Sequence, residues 1–187
     1  MITTSNKQYY ERLKSLRQHS MSVSDRVRHT AKKVIFEDYT EIGYNYRLTD
    51  IQAAVGIKQL EKLDWIVRER QKIAQKYHQA LANLDCLQLP SETPGYVPNY
   101  QSYLLYLKKN TSISRDSLMQ KMLDKNIATR RGIMTAHRTA AYSEYAKVSL
   151  PISEDISDSS IIIPLYVPMT NIQINYVIKT IRTLLQK

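Results

Sequence analysis

The chain has 187 residues, 43% of them hydrophobic and 24% charged, the composition of one ordinary globular domain with its own core and not of a disordered tail. No apolar run approaches the ~18 residues of a membrane span, no apolar segment follows the first residues as in a secretory signal, and the single cysteine, Cys86, has no partner for an internal disulfide, so cytoplasmic residence is the simplest expectation. The net charge of +10 is gathered early, with Lys7, Arg12, Lys14, Arg17, Arg26, Arg28, Lys32 and Lys33 against Glu11 and Asp25 alone; it fits a solvated face or an anionic ligand, and no zinc-ligand spacing, RNA-binding aromatic pattern or Walker loop turns it into a nucleic-acid signal.

In chain order, residues 6–18 read as a helix, with Tyr9/Tyr10, Leu13 and Leu16 recurring between basic residues. Residues 19–42 are polar and without clear period, a long connection of the kind that is functional or mobile. Thr49 or Asp50 then caps a helix start. Ile51, Val55, Leu60, Leu63, Val67, Ala74, Tyr77, Leu81 and Leu84 keep one apolar stripe, implying a helix or helix pair that ends near Asn83. A short strand is expected at 86–90, a turn-rich stretch at 91–99 and a buried strand at 102–107. Ser114 or Asp116 caps a helix through Leu118, Met119, Met122 and Leu123; 127–131 is a weak strand and 161–163 an apolar one. Thr170 caps a last helix with Ile174, Val177, Ile178, Ile181, Leu184 and Leu185 turned inward. This order predicts an α+β fold, a small sheet covered by helices.

Two stretches have residues suited to chemistry. Asn45, Tyr46 and Arg47 precede a helix start, where open amides and an Arg fork favour a phosphate or carboxylate; the alternative is a loop Asn held by its own backbone and an Arg paired with an acid. Arg130 and Arg131, followed by Gly132 and His137, offer either an anion-binding corner or a surface Arg pair beside a satisfied histidine. His19, His29 and His78 have no metal-ligand spacing, Cys86 reads as a core residue, and no Ser-His-Asp or Cys-His arrangement is present.

These residues resemble a known family. Gly43-Tyr44-Asn45-Tyr46-Arg47-Leu48-Thr49-Asp50-Ile51-Gln52-Ala53-Ala54 is similar to the G-x-N-Y-R-[ML]-[ST]-D-I-Q-A-A signature of the DegT/DnrJ/StrS sugar aminotransferases. Residues 59–64 and 68–77 are similar to the helix that follows it, Thr129 to His137 with Ala141-Tyr142 to T-R-R-G-I-M-x-x-H-x-x-x-A-Y, and 164–170 to L-P-L-[YF]-x-x-M-T. The resemblance runs over nearly the whole chain. It implies the small C-terminal domain of the aspartate-aminotransferase (type I PLP) fold over 49–187, with 1–48 a remnant of the large pyridoxal-phosphate domain that includes a helix and an interface loop.

The resemblance also implies what is to be looked for elsewhere. In the family, the lysine that forms the Schiff base with pyridoxal 5'-phosphate (PLP) lies just before the segment that Met1–Thr4 resembles, so no catalytic residue is expected within the chain. Lys58, Lys62 and Lys72 sit on the polar side of a helix and lack the burial such a lysine requires. By resemblance the site forms at a dimer interface, where Asn45 donates to the neighbouring subunit's cofactor phosphate and Arg47 supports the loop. His137 and Tyr142 lie near a nucleotide-sugar substrate, whose diphosphate Arg130 and Arg131 meet. The expected partners are the missing N-terminal half or a full-length paralogue, with homo-oligomers anticipated and no membrane or metal. One departure is Ser20, where the family often has Gly. The expected function is that of the C-terminal part of a PLP-dependent aminotransferase of keto-sugar nucleotides, inactive alone, serving amino-sugar and surface-polysaccharide or glycan biosynthesis. The alternatives are a non-catalytic basic binding or regulatory module and an inactive dimer partner.

Overall fold

The computed structural model describes residues 2–91, 93–145 and 147–186, with Asp25 and Arg26 described by their backbone alone. Met1, Glu92, Ala146 and Lys187, which fall inside stretches assigned above, lie outside the described residues. The chain divides into two compact units, Met1–Glu61 and Lys62–Lys187.

In the first unit, α1 (Lys7–Leu16) starts where the Asn6 side chain accepts the Gln8 and Tyr9 amides at 2.9 and 3.2 Å. A short α2 (Asp25–Thr30), capped by Ser24, interrupts the connection that the sequence left without structure. α3 (Asp50–Leu60) begins with a capping box: Thr49 Oγ1 accepts the Gln52 amide at 3.3 Å and Gln52 Oε1 accepts the Thr49 amide at 3.0 Å. Neither α1 nor α3 holds a buried residue.

The second unit opens with α4 (Leu63–Leu81), so the expected stripe is a helix pair broken at Glu61-Lys62. The stripe is buried only in its second half. Ala74, Tyr77, Leu81 and Leu84 are buried, whereas Ile51, Val55, Leu60 and Leu63 are exposed; periodicity reports an apolar face and cannot say what covers it. The sheet is antiparallel throughout, in the order β1 (Leu87–Gln88), β2 (Tyr103–Leu107), β4 (Ser160–Ile163), β3 (Arg130–Arg131). In register, Tyr103 faces Ile163 and Leu105 faces Ile161. Their side chains share one face with α4, α5 (Arg115–Leu123) and α7 (Asn171–Leu185) packed around it. Tyr77, Leu81, Tyr103, Leu105, Leu118, Met122, Ile161 and Ile181 are fully buried there, and each large apolar side chain so placed contributes roughly 2 kcal/mol. Ser114 and Thr170 cap α5 and α7 as expected.

Between β3 and β4 the chain forms elements that the sequence did not announce. A 3-10 turn covers Ala136–Arg138, a second 3-10 stretch, Ala140–Tyr145, bends at Tyr142, and α6 (Pro151–Ser159) starts with Pro at its first turn. α6 lies against β2 on the sheet's second face, with the Tyr106 hydroxyl donating to Asp155 Oδ2 at 2.6 Å.

Candidate functional site

In the first unit, two chain segments meet around Gly43. A Cβ there would stand 2.4 Å from both the His19 carbonyl carbon and the Ser20 amide nitrogen, so only glycine permits the approach. The approach lets the Tyr44 and Tyr46 amides donate to the Leu16 and Arg17 carbonyls at 2.7 and 2.9 Å, and the His19 amide to Tyr44 O at 3.0 Å. The opposing segment turns back through His19 and Ser20 with φ of 57° and 56°. That left-handed backbone is one that glycine adopts without strain, which gives the departure at Ser20 a physical meaning. Ser20 is fully buried and its Oγ has no hydrogen-bond partner among the described residues.

The pairing fixes Asn45, which bridges Gln18, while its chain neighbours Tyr44 and Tyr46 stack ring on ring, 5.2 Å apart and 11° from parallel. Asn45 Oδ1 accepts from Arg47 Nε at 3.4 Å. Its two amide hydrogens keep no partner among the described residues and are ready donors. The capping box uses two amides at the start of α3, and Asp50 adds a negative charge to its first turn. The start of α3 therefore leaves fewer open amides for an anion than its position alone implies.

In the second unit, a groove of about 420 Å³ is walled by residues 133–137 on one side and by Tyr142, Tyr145, Val148, Leu150 and Ser153 on the other. His137 and Tyr142, named together by the resemblance, line one cavity. Gly132 brings the wall onto the sheet: its amide donates to Ser160 O at 3.0 Å, and a Cβ would stand 2.8 Å from Leu104 Cδ1. Arg130 and Arg131 are exposed on the edge strand β3, opposite Ile162 and Ile161. As neighbours on a strand they point to opposite faces of the sheet and form no single clamp.

The residues that sequence reasoning missed are on α6. Glu154, Ser157 and Asp158 fall on one face of the helix, and all three hold the groove wall. Glu154 Oε1 lies 2.9 Å from His137 Nε2, the Ser157 hydroxyl donates to Ile133 O at 3.1 Å, and Asp158 takes Arg138 Nη1 on both oxygens at 3.0 and 2.9 Å. Glu154 Oε1 also accepts the Leu150 amide at 2.9 Å. That amide, then the His137 ring, hold the Glu154 carboxyl below its ordinary range. The available signal was Pro151 followed by an acid in the first turn. Every lysine among the described residues is exposed, Lys58 paired with Glu61 and Lys72 with Glu69. None of the helices is long and apolar enough to cross a membrane among the described residues.

Comparison with solved structures places this fold. The chain is similar to the aminotransferase TlmJ of Streptoalloteichus hindustanus (24% identity, 96% of this chain and 45% of that one, TM-score 0.79). It is similar to the sugar aminotransferase CalS13 of Micromonospora echinospora (25%, 95% and 45%, TM-score 0.80). It is also similar to the Streptococcus pneumoniae protein Spr1654 solved in a PLP form (18%, 97% and 44%, TM-score 0.80). The chain spans just under half the length of these relatives. The helices and small antiparallel sheet are those of the aminotransferase fold, and residues 1–182 match the family model: the chain belongs to the DegT/DnrJ/EryC1/StrS aminotransferase family.

Proposed function

We propose that the chain is the C-terminal part of a PLP-dependent aminotransferase that moves an amino group from glutamate or glutamine to a keto-sugar nucleotide, a step in making amino sugars for surface polysaccharide or glycan. The observation that carries this reading is the groove that His137 and Tyr142 line together. It offers polar and aromatic contacts side by side, as a nucleotide sugar requires.

The first unit suits the cofactor's phosphate. Asn45 supplies two amide hydrogens without a partner among the described residues and Arg47 a guanidinium 3.4 Å from its oxygen, a donor set matched to phosphate. Bound PLP would supply the electron sink for amino transfer; this chain would supply grip on its phosphate, from across a subunit boundary. Val34, Phe36, Ile42 and Ile51 are each at least 79% exposed, which supports association through this segment with a second copy or with the N-terminal half. Arg130, on the same sheet face as α6, is the better placed of the two arginines to meet a diphosphate. Cytoplasmic residence belongs to the same reading, supported by the lone Cys86.

By itself the chain is proposed to be inactive, since every lysine among the described residues is exposed and lacks the burial a Schiff-base former requires. The test is reconstitution. The chain is co-expressed with a polypeptide carrying the family's lysine-bearing half, purified as a complex, and assayed for amino transfer from glutamate to keto-sugar nucleotides beside the chain alone. Activity in the complex only is expected. A folded but inert complex overturns the complementing-half reading, and turnover by the chain alone overturns its inactivity.

A further inference from the structure

The face of α6 that holds the groove wall has a use beyond packing. Its two acids differ. Asp158 is matched to Arg138 in a forked pair, the pair's charges cancelling at an exposed edge. Glu154 has no Lys or Arg in hydrogen-bond contact among the described residues; its ring partner is His137. Its Oε1 accepts from the backbone of Leu150 and from the ring of His137, which is only 8% exposed. With Nε2 engaged, Nδ1 is the remaining ring nitrogen, and it makes no hydrogen bond among the described residues. With its Nε2 hydrogen given to a carboxylate, an imidazole donates from Nδ1 only when that nitrogen carries a hydrogen too.

We propose that Glu154 is a positioning residue: it accepts the Nε2 hydrogen of His137 and thereby presents Nδ1 to a diphosphate ligand in the groove, with a hydrogen held between the two. This rests on the reading of the groove as a nucleotide-sugar site and deepens it. The loop that bears His137 has no long helix or strand of its own, so its aim depends on what grips it. Glu154, one turn from Asp158 and flanked by Ser157, grips it at the residue that meets the ligand.

The experiment uses the full-length protein and three probes, uridine diphosphate, thymidine diphosphate and inorganic pyrophosphate, with affinity read by calorimetry. His137→Gln weakens the best-bound probe about tenfold or more, the scale of a hydrogen bond to a charged group. Glu154→Gln keeps size and a carbonyl oxygen for the Leu150 amide but removes the charge, and it weakens binding about tenfold. On the His137→Gln background, Glu154→Gln then changes nothing further, because its effect passes through the ring. An equal loss on both backgrounds makes Glu154 a helix-capping residue only and overturns the proposal, as does no loss on either. A second readout does not depend on any variant folding: nitrogen-15 spectra of the wild-type protein with pyrophosphate bound show both ring nitrogens of His137 protonated, and a bare Nδ1 overturns the proposal. If His137→Gln binds as wild type, or no probe binds, the groove reading itself fails.

Discussion

Gly43 and Ser20 pack so closely that a single methyl group cannot come between them: a Cβ on Gly43 would lie 2.4 Å from the Ser20 amide nitrogen and 2.7 Å from its hydroxyl oxygen. The contact is backbone on backbone, so no rotamer change can relieve it. Gly43→Ala is expected to cost on the order of 2 kcal/mol in local opening. Hydrogen exchange checks this, since the Tyr44 and Tyr46 amides lie in the affected pairing and should exchange ten-fold faster or more. Unchanged exchange would show that the segments can separate at no cost.

Ser20→Gly should act in the opposite direction. The serine sits at φ 56° with a buried hydroxyl that has no partner among the described residues. Glycine removes both the left-handed strain and the orphaned oxygen, and the gain is about 1 kcal/mol after its greater unfolded-state entropy is counted. Slower exchange at the His19 and Tyr44 amides is the expected result.

Two tyrosines in the second unit should respond oppositely to loss of their hydroxyls. The Tyr77 hydroxyl donates to Pro164 O at 2.7 Å, while that of Tyr103 is buried with no partner among the described residues. Tyr77→Phe is expected to lower stability by about 1 kcal/mol and Tyr103→Phe to leave it level or raise it by as much. Urea denaturation of the two variants, side by side, decides between this and a uniform cost of removing a hydroxyl.

Acid should loosen α6. The Glu154 carboxyl is held below its ordinary value of 4.5, by the Leu150 amide first and His137 second. A group whose folded pKa is depressed contributes stability that is present above its unfolded pKa and lost as pH falls through its folded one. The stability of wild type is therefore expected to fall on acidification below about 4.5 more steeply than that of Glu154→Gln. Parallel curves would mean that the carboxylate's partners do not matter to folding.

Gly56 lies inside α3 with nothing within 4 Å of the place a Cβ would take. Gly56→Ala should raise helicity, worth roughly 0.5–1 kcal/mol. Far-ultraviolet circular dichroism through a thermal scan reads it. A loss would show that something approaches this glycine in the assembled protein.

Much of this architecture was legible because the signals were local. Ser114, Thr49 and Thr170 announce helices through a side chain that satisfies an amide three residues on, and Tyr103 to Leu107 and Ile161 to Ile163 announce strands by unbroken apolar character. The break between α3 and α4 was ambiguous because no Pro or Gly stands at Glu61-Lys62. α6 was missed because Pro-Ile-Ser-Glu-Asp-Ile-Ser-Asp-Ser is rich in residues that compete with helix for backbone hydrogen bonds. Of the candidate site, Asn45, Arg47, His137 and Tyr142 could be named from motifs. The hold of Glu154 on His137 joins residues 17 apart in sequence through tertiary structure alone, and nothing in local pattern encodes it.

The first unit has one buried residue, Ser20, among those whose burial is described. Sixty-one residues gain little against the entropy of ordering a chain when so little apolar surface is withdrawn from water. α1 and α3 should accordingly behave as tenants of whatever surface they settle on. Their amides would exchange faster than the core amides of the second unit until that surface arrives, and on the proposed reading the Asn45 loop would become a phosphate grip at the same moment. Cofactor capture and assembly would then be one equilibrium, so the concentration of the partner would set the apparent affinity for PLP.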